Sequence, residues 1–218
     1  MHDLIKTFTE ADYYKDINLH IHTNFSDGKR SPAEIIKLAQ EKGFRFISIT
    51  DHNTVGAYEH IDAEFLLPAV HEGLKIIAGV EFDCWYGSNF MHILGYGIDV
   101  NNGNLKSICA KSKKETELDI IRLFARRSAQ DVIKKIKEAG GIAILAHPCC
   151  CWNLNIRKMI DELKFFGLDG VEVYYPYVRH RAIVKFHTIA GIKRIAEELD
   201  LLMTGGTDCH KDNIVFKG

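Results

Sequence analysis

Seven short apolar runs, most of them closing on or holding a histidine or a carboxylate, limit what this chain can fold into. The runs cover residues 17–23, 44–50, 75–82, 91–98, 141–146, 170–174 and 201–205. Segments of helical periodicity lie between them. Strand-like runs alternating with helices argue for a βα unit repeated around a parallel sheet. Ser31 is a helix cap, with Pro32 at the first helical position and Glu34 completing a capping box, and Gly43 stops that helix. The longest connection, 101–140, predicts two helices, the second capped by Ser128 with Asp131 three residues on. Its Ile120, Leu123, Phe124, Val132, Ile133 and Ile136 form the expected buried stripe. Helices over 155–166 and 179–199 complete the pattern.

A length of 218 residues suits one domain spanning 1–218. A net charge of -1 gives no general pull toward nucleic acid or membrane. No apolar run reaches spanning length, and residues 1–10 lack a signal-peptide pattern, so the expected setting is the cytoplasm. The six cysteines have neither disulfide nor zinc-ribbon spacing, since Cys149, Cys150 and Cys151 are consecutive.

Histidine is the informative count, at 11. His20 and His22 stand two apart at a strand end, so their imidazoles share a face while Ile21 points the other way. Similar groups recur at later strands: Asp51-His52, Glu81, His92, His147, Glu172, and the pair Asp208 and His210. In parallel βα barrels the carboxyl ends of the strands meet at one face, where active sites form. Each group alone is weak, and the recurrence makes them a set.

The motifs Asn18-Leu-His20-Ile-His22-Thr, Ser26-Asp27-Gly28, Thr50-Asp51-His52-Asn53-Thr54, Gly79-Val-Glu81, His92-Ile-Leu-Gly95-Tyr96, Ala146-His147-Pro148 and Gly206-Thr-Asp208-Cys-His210 resemble the ordered series of the PHP (polymerase and histidinol phosphatase) superfamily. The resemblance implies an α/β fold, a distorted seven-stranded (β/α)7 barrel, and nine metal ligands. His20, His22, Glu81 and Asp208 would hold one ion. Glu81 would bridge to a second, completed by His92 and His147. Asp27, His52 and His210 would hold a third. Such mixed ligation suits two or three divalent ions of manganese, iron or zinc (Mn2+, Fe2+ or Zn2+) better than calcium. A bound metal brings the pKa of water from about 15.7 toward about 7, which makes hydroxide available at neutral pH. Glu81 is therefore the central catalytic candidate.

Other residues carry weaker signals. Asp51 either orients an imidazole from behind or caps a short helix over 53–59. Glu172 is either an acceptor behind the ligands or a salt-bridge partner within the barrel. Arg179 and Arg181 are candidate contacts for substrate phosphate. The basic residues of 101–140, Arg122 among them, either meet substrate phosphates or a nucleic-acid backbone or form a solvated helix face, the expected reading. Cys149–Cys151 are expected to pack, and Cys209 to point away from the ligands flanking it.

Larger members of the superfamily carry a separate small domain where this chain has only 99–140. That shorter cover implies an open site and broad specificity. The leading function is metal-dependent hydrolysis of phosphate esters, above all phosphomonoesters of nucleotides or short oligonucleotides. Histidinol-phosphate phosphatase, exonuclease-like activity and a noncatalytic metal-stabilised module are the alternatives.

Overall fold

Thr9 and Ser31 open helices by the same device. Each hydroxyl accepts from the backbone N–H three residues on, and the carboxylate there (Asp12 or Glu34) accepts from the cap's own N–H. The computed structural model describes residues 1–62, 65–66, 73–124, 126–177, 187–211 and 214–215. Two short helices, α1 (His2–Lys6) and α2 (Glu10–Lys15), precede strand β1 (Ile17–Ile21). Helix α3 (Pro32–Glu41) then leads into β2 (Phe46–Ile49), and a 3-10 turn, Gly56–His60, follows it. The rest of the sheet framework is β3 (Lys75–Ile76), β4 (Gly79–Tyr86), β5 (Asn89–Tyr96), β6 (Ile142–Leu145), β7 (Gly170–Tyr174) and β8 (Leu202–Gly205).

The sheet departs from the expected seven-stranded barrel. The strands form a three-stranded sheet, β1-β2-β3, and a five-stranded sheet, β4-β5-β6-β7-β8. The expected strand 75–82 divides, because Lys75–Ile76 pairs with β2 whereas the segment from Gly79 pairs with β5. β4 and β5 are antiparallel, with Tyr86 opposite Asn89 across a two-residue turn whose Gly87 sits at φ 58°. Two residues can link only antiparallel neighbours, so this hairpin interrupts the parallel repeat. The sheets meet through isolated bridges rather than a continuous ladder. Asp208 N–H donates to His20 O (2.8 Å), and Asn53 N–H donates to Glu81 O (2.7 Å).

The described residues of 99–140 contain four helices rather than two: α4 (Gly103–Ser107), α5 (Lys114–Glu117), α6 (Asp119–Arg122) and α7 (Ala129–Glu138). Ser128 caps α7 as expected, accepting from Asp131 N–H. The apolar stripe is split. Val132, Ile133 and Ile136 of α7 are buried, but Ile120, Leu123 and Phe124 are 67%, 42% and 77% exposed. α6 spans barely one turn, too short to give a helix an inward face across that stripe. Helix α8 (Ile156–Phe165) lies between β6 and β7 in the chain, and α9 (Ile189–Glu198) packs on β7 and β8. Residues 179–186, including Arg179 and Arg181, lie outside the described residues. Among those described, no helix is long and apolar enough to cross a membrane.

Candidate metal centre

β1 is buried along its whole length, which brings the His20 imidazole fully out of solvent. Asn18 holds the neighbourhood together: its Oδ1 accepts from His20 N–H (3.1 Å) and Thr207 N–H (3.0 Å), and its Nδ2 donates to Thr207 Oγ1 (2.7 Å). Gly206 permits this approach, since a Cβ there would stand 2.3 Å from the Cβ of His20. Asp208 follows with φ 49°, and His147 has φ 29°. Positive φ is uncommon outside glycine and tends to persist at functional sites, where surrounding contacts fix it.

Glu81 on β4 is the hub. Its Oε2 lies 3.3 Å from His20 Nε2, 3.2 Å from His22 Nε2 and 3.4 Å from His52 Nδ1. Its Oε1 lies 3.0 Å from His92 Nδ1 and 3.3 Å from His147 Nε2. Asp208 Oδ1 approaches His22 Nε2 at 3.1 Å, and Asp27 Oδ1 approaches His210 Nε2 at 3.2 Å. All nine residues singled out in the sequence therefore converge. Four groups could each surround a cation: His22, Asp27, His52 and His210; His20, His22 and Asp208; His52, Asp83 and His92; and Glu81, His92 and His147.

The atoms facing the centre are short of partners. His20 Nε2, His22 Nε2, His52 Nδ1, Asp27 Oδ1, Glu81 Oε2 and Asp83 Oδ1 are all buried and make no hydrogen bond. Each instead faces an imidazole or carboxylate of the cluster at 3.1–3.7 Å, and six such atoms without a hydrogen bond are costly to bury unless something else satisfies them. Their lone pairs point into a common space at mixed nitrogen and oxygen sites, which fits borderline divalent cations. Electrostatics agree. Burial raises the Glu81 carboxyl, yet His20, His52 and His92 hold it well below the usual range. Burial lowers the His22 imidazole, yet Asp208 and Glu81 push it up to about 10.

Residues behind the ligands have defined tasks. Glu172, fully buried, lies 2.9 Å from His20 Nδ1 and accepts from His147 N–H at 2.9 Å. Of its two readings, the structure gives the acceptor behind the ligands, which would fix His20 with Nε2 free for a metal. Asp51 caps no helix, since Val55 stands at the cap of the Gly56–His60 turn. It accepts from Thr23 N–H (2.7 Å), Thr23 Oγ1 (2.6 Å) and Ser26 Oγ (2.6 Å), and Ser26 Oγ lies 3.4 Å from His22 Nδ1. This pins the loop that presents Asp27. Tyr175 donates to Asp208 Oδ2 at 2.6 Å.

Two members of the site were missed in the sequence. Asp83 follows Glu81 by two residues, so strand alternation puts it on the same face, and its Oδ1 lies 3.3 Å from His52 Nδ1 and 3.1 Å from His92 Nε2. That spacing was legible. Arg122 was not, being one of many basic residues in 101–140. It is buried instead of solvated, donating to Asp27 Oδ2 (2.9 Å) and Asp119, with Asp83 Oδ2 3.7 Å from its Nε. A cavity of about 680 Å³ opens above the cluster, walled by Glu117, Asp119, Arg122, Leu123, Tyr175 and Lys211 among others. Cys149 and Cys151 are buried, as expected for packing residues, whereas Cys150 lines the cavity. Cys209 is buried away from solvent.

The PHP domain model matches residues 18–147, more than half of the chain. This chain belongs to the PHP family. Among its PHP relatives, a 5′-3′ exoribonuclease of Haemophilus influenzae is 22% identical over 221 residues, covering 73% of this chain and 79% of that protein. A phosphoribosyl 1,2-cyclic phosphate 1,2-diphosphodiesterase of Eggerthella lenta is 23% identical, covering 88% and 93%. In the solved structures, an amidohydrolase of Chromobacterium violaceum with bound sulfate superposes with a TM-score of 0.72 at 19% identity, over 91% of this chain and 88% of that one. That likeness establishes the α/β PHP fold.

Proposed function

We propose that this PHP chain is a metal-dependent phosphoesterase acting on phosphomonoesters, with nucleotides or short oligonucleotides preferred to histidinol phosphate. The observation that carries this reading is the set of six buried donor atoms, Glu81 Oε2 at their centre, that make no hydrogen bond. Relatives whose names describe hydrolysis of phosphodiesters and RNA support it, as does sulfate, a tetrahedral oxyanion like phosphate, in the C. violaceum protein. The reading takes 1–218 as one PHP domain, and a cytoplasmic setting suits six cysteines none of which forms a disulfide.

His20, His22, Asp27, His52, Glu81, His92, His147, Asp208 and His210 would hold two or three ions, and Asp83 adds a tenth donor. When bound, divalent ions would supply Lewis-acid activation of water and neutralise charge on phosphoryl oxygens. The protein's own contribution is position. Glu81 offers one oxygen to each half of the cluster. Glu172 orients His20, and Asp51 fixes the Asp27 loop. Arg122, clamped by Asp27 and Asp119, sets a permanent positive charge in the cavity wall, where a phosphoryl group would meet it.

The test reconstitutes purified protein with manganese, iron or zinc. Hydrolysis is then compared on a nucleoside 3′,5′-bisphosphate, a short 5′-phosphorylated oligonucleotide, histidinol phosphate and an aryl phosphate. Turnover led by the nucleotides is expected. Preference for histidinol phosphate would overturn the substrate reading, and full metal sites without turnover on any ester would favour a noncatalytic module.

A further inference from the structure

Strand alternation continues past the metal centre. Glu81, Asp83 and Trp85 occupy one face of β4, and the register sets His92 opposite Asp83 and Phe90 opposite Trp85. One face of the hairpin thus carries ligand-type residues at its base and aromatic rings toward its tip. The rings form a continuous path: Phe90 meets His92 edge-on at 5.3 Å between centroids, and Trp85 meets Phe90 at 5.2 Å. At a strand rise of about 3.4 Å per residue, Trp85 stands roughly 13 Å from Glu81 along β4. That is beyond reach of a phosphoryl group held at the centre, but within reach of whatever that phosphate esterifies.

A groove of about 550 Å³ lies there, lined by Trp85, Leu123, Phe124, Arg126 and Arg127. Leu123 also walls the metal cavity, so the groove adjoins it, and the Leu123 carbonyl accepts from Trp85 Nε1–H at 3.1 Å. Phe124 is 77% exposed although it belongs to no packed interface among the described residues. Arg126 is exposed, whereas Arg127 is tied down, its Nε–H donating to Ile108 O at 2.6 Å. Aromatic faces beside guanidinium groups are the combination that binds single-stranded nucleic acid, through base stacking and backbone charge.

We infer that the Trp85–Phe124 groove is a nucleobase subsite, which takes a base of an oligonucleotide whose 5′-terminal phosphate sits at the metal centre. The inference rests on the phosphoesterase reading and names its substrate class: 5′-phosphorylated oligonucleotides of at least two residues. The rings stack on the base, while the exposed Arg126 meets the internucleotide phosphate.

The test compares kcat/KM for a 5′-phosphorylated dinucleotide and for its abasic counterpart, which share the scissile bond. Wild-type protein should prefer the base-bearing substrate, and Trp85→Leu should cut that ratio by about 5- to 150-fold, whereas Trp85→Phe should keep most of it. A binding readout needs no turnover. With Trp152, an exposed side chain, changed to Phe, the emission of Trp85 should be quenched as the dinucleotide is titrated into chelator-treated protein, and the abasic compound should leave it unchanged. Equal hydrolysis of both compounds by the wild type, or absence of quenching, overturns the subsite while leaving phosphate-ester hydrolysis standing. Quenching without hydrolysis of either compound would retain the subsite and remove the phosphoesterase reading.

Discussion

Glu81 meets five imidazoles with two oxygens, a load that only a charged carboxylate can carry. Glu81→Gln removes one anionic oxygen and keeps the shape. It should lower phosphatase activity at least about 100-fold and release metal, while the melting temperature of the chelated protein stays within a few degrees, as thermal melting beside elemental analysis would establish. Glu172→Gln acts one bond further out. Loss of its charge behind His20 should weaken metal binding by about 10- to 100-fold, measured by competition with a chromogenic chelator. The sign of the pH dependence follows from His22. Burial lowers its imidazole but Asp208 and Glu81 raise it to about 10, so at neutral pH the metal-free chain carries that proton. A metal requires the free nitrogen, hence binding should release protons and tighten as pH rises from 7 toward 10, visible as buffer-dependent heats in calorimetry. In the chelated protein this raised pKa contributes stability in full below about pH 6.5, the ordinary imidazole value, and the contribution disappears as pH climbs through about 10.

The elements serve the site unequally, and substitutions can separate them. α3 buries Ile35, Ile36 and Ala39 but supplies no ligand. Ser31→Ala removes its capping box and should cost about 1 kcal/mol, a fall of about 2–4 °C in melting temperature with activity kept. Gly28 belongs instead to the loop that presents Asp27, and a Cβ there would come within 2.4 Å of His22 O. Gly28→Ala should push that loop off His22, lowering metal stoichiometry with only a moderate fall in melting temperature. Elemental analysis beside calorimetric melting would distinguish the two. The hairpin β4–β5 is the richest element, contributing Glu81, Asp83 and His92 and then Trp85 and Phe90. α5 and α6 wall the cavity through Glu117, Asp119 and Arg122. The 99–140 connection is therefore part of the site.

At the scale of the molecule, two sheets converge on one cavity, and donors from both are needed to fill it. His20, His22 and His52 come from the β1–β2 side, and Glu81, Asp83, His92, His147 and Asp208 from the five-stranded sheet and its ends. Ten donors in four overlapping groups exceed what one ion of ordinary coordination number uses. Protein purified without chelators should carry more than one transition metal per chain by elemental analysis. A ratio that never passes one after reconstitution with manganese, iron or zinc would exclude a multinuclear centre. Because the cluster ties the sheets together, metal loading should also raise the melting temperature, and further as free metal exceeds its dissociation constant.

The sequence alone determined the strand cores and the donors at their ends, because both follow from local rules. Apolar runs such as 142–145 and 170–174 announce buried strands, the pair His20 and His22 shares a face by alternation, and Ser31 and Ser128 mark helix starts by their own hydroxyls. The same rule reached Asp83, and Thr9 with Asp12 spelled a capping box, though neither was read. Only the tertiary structure decided the rest. Antiparallel pairing of β4 with β5 depends on whether Gly87 and Ser88 close a turn or continue a strand, and the partner strand settles that. Arg122 looks like its basic neighbours in sequence, yet Asp27 and Asp83, 95 and 39 positions away, draw it inward. Ile120 and Phe124 fit a buried stripe by composition, but a one-turn α6 gives them nothing to pack against. Burial and charge pairing between distant segments are properties of the assembled surface, and no window of local sequence contains them.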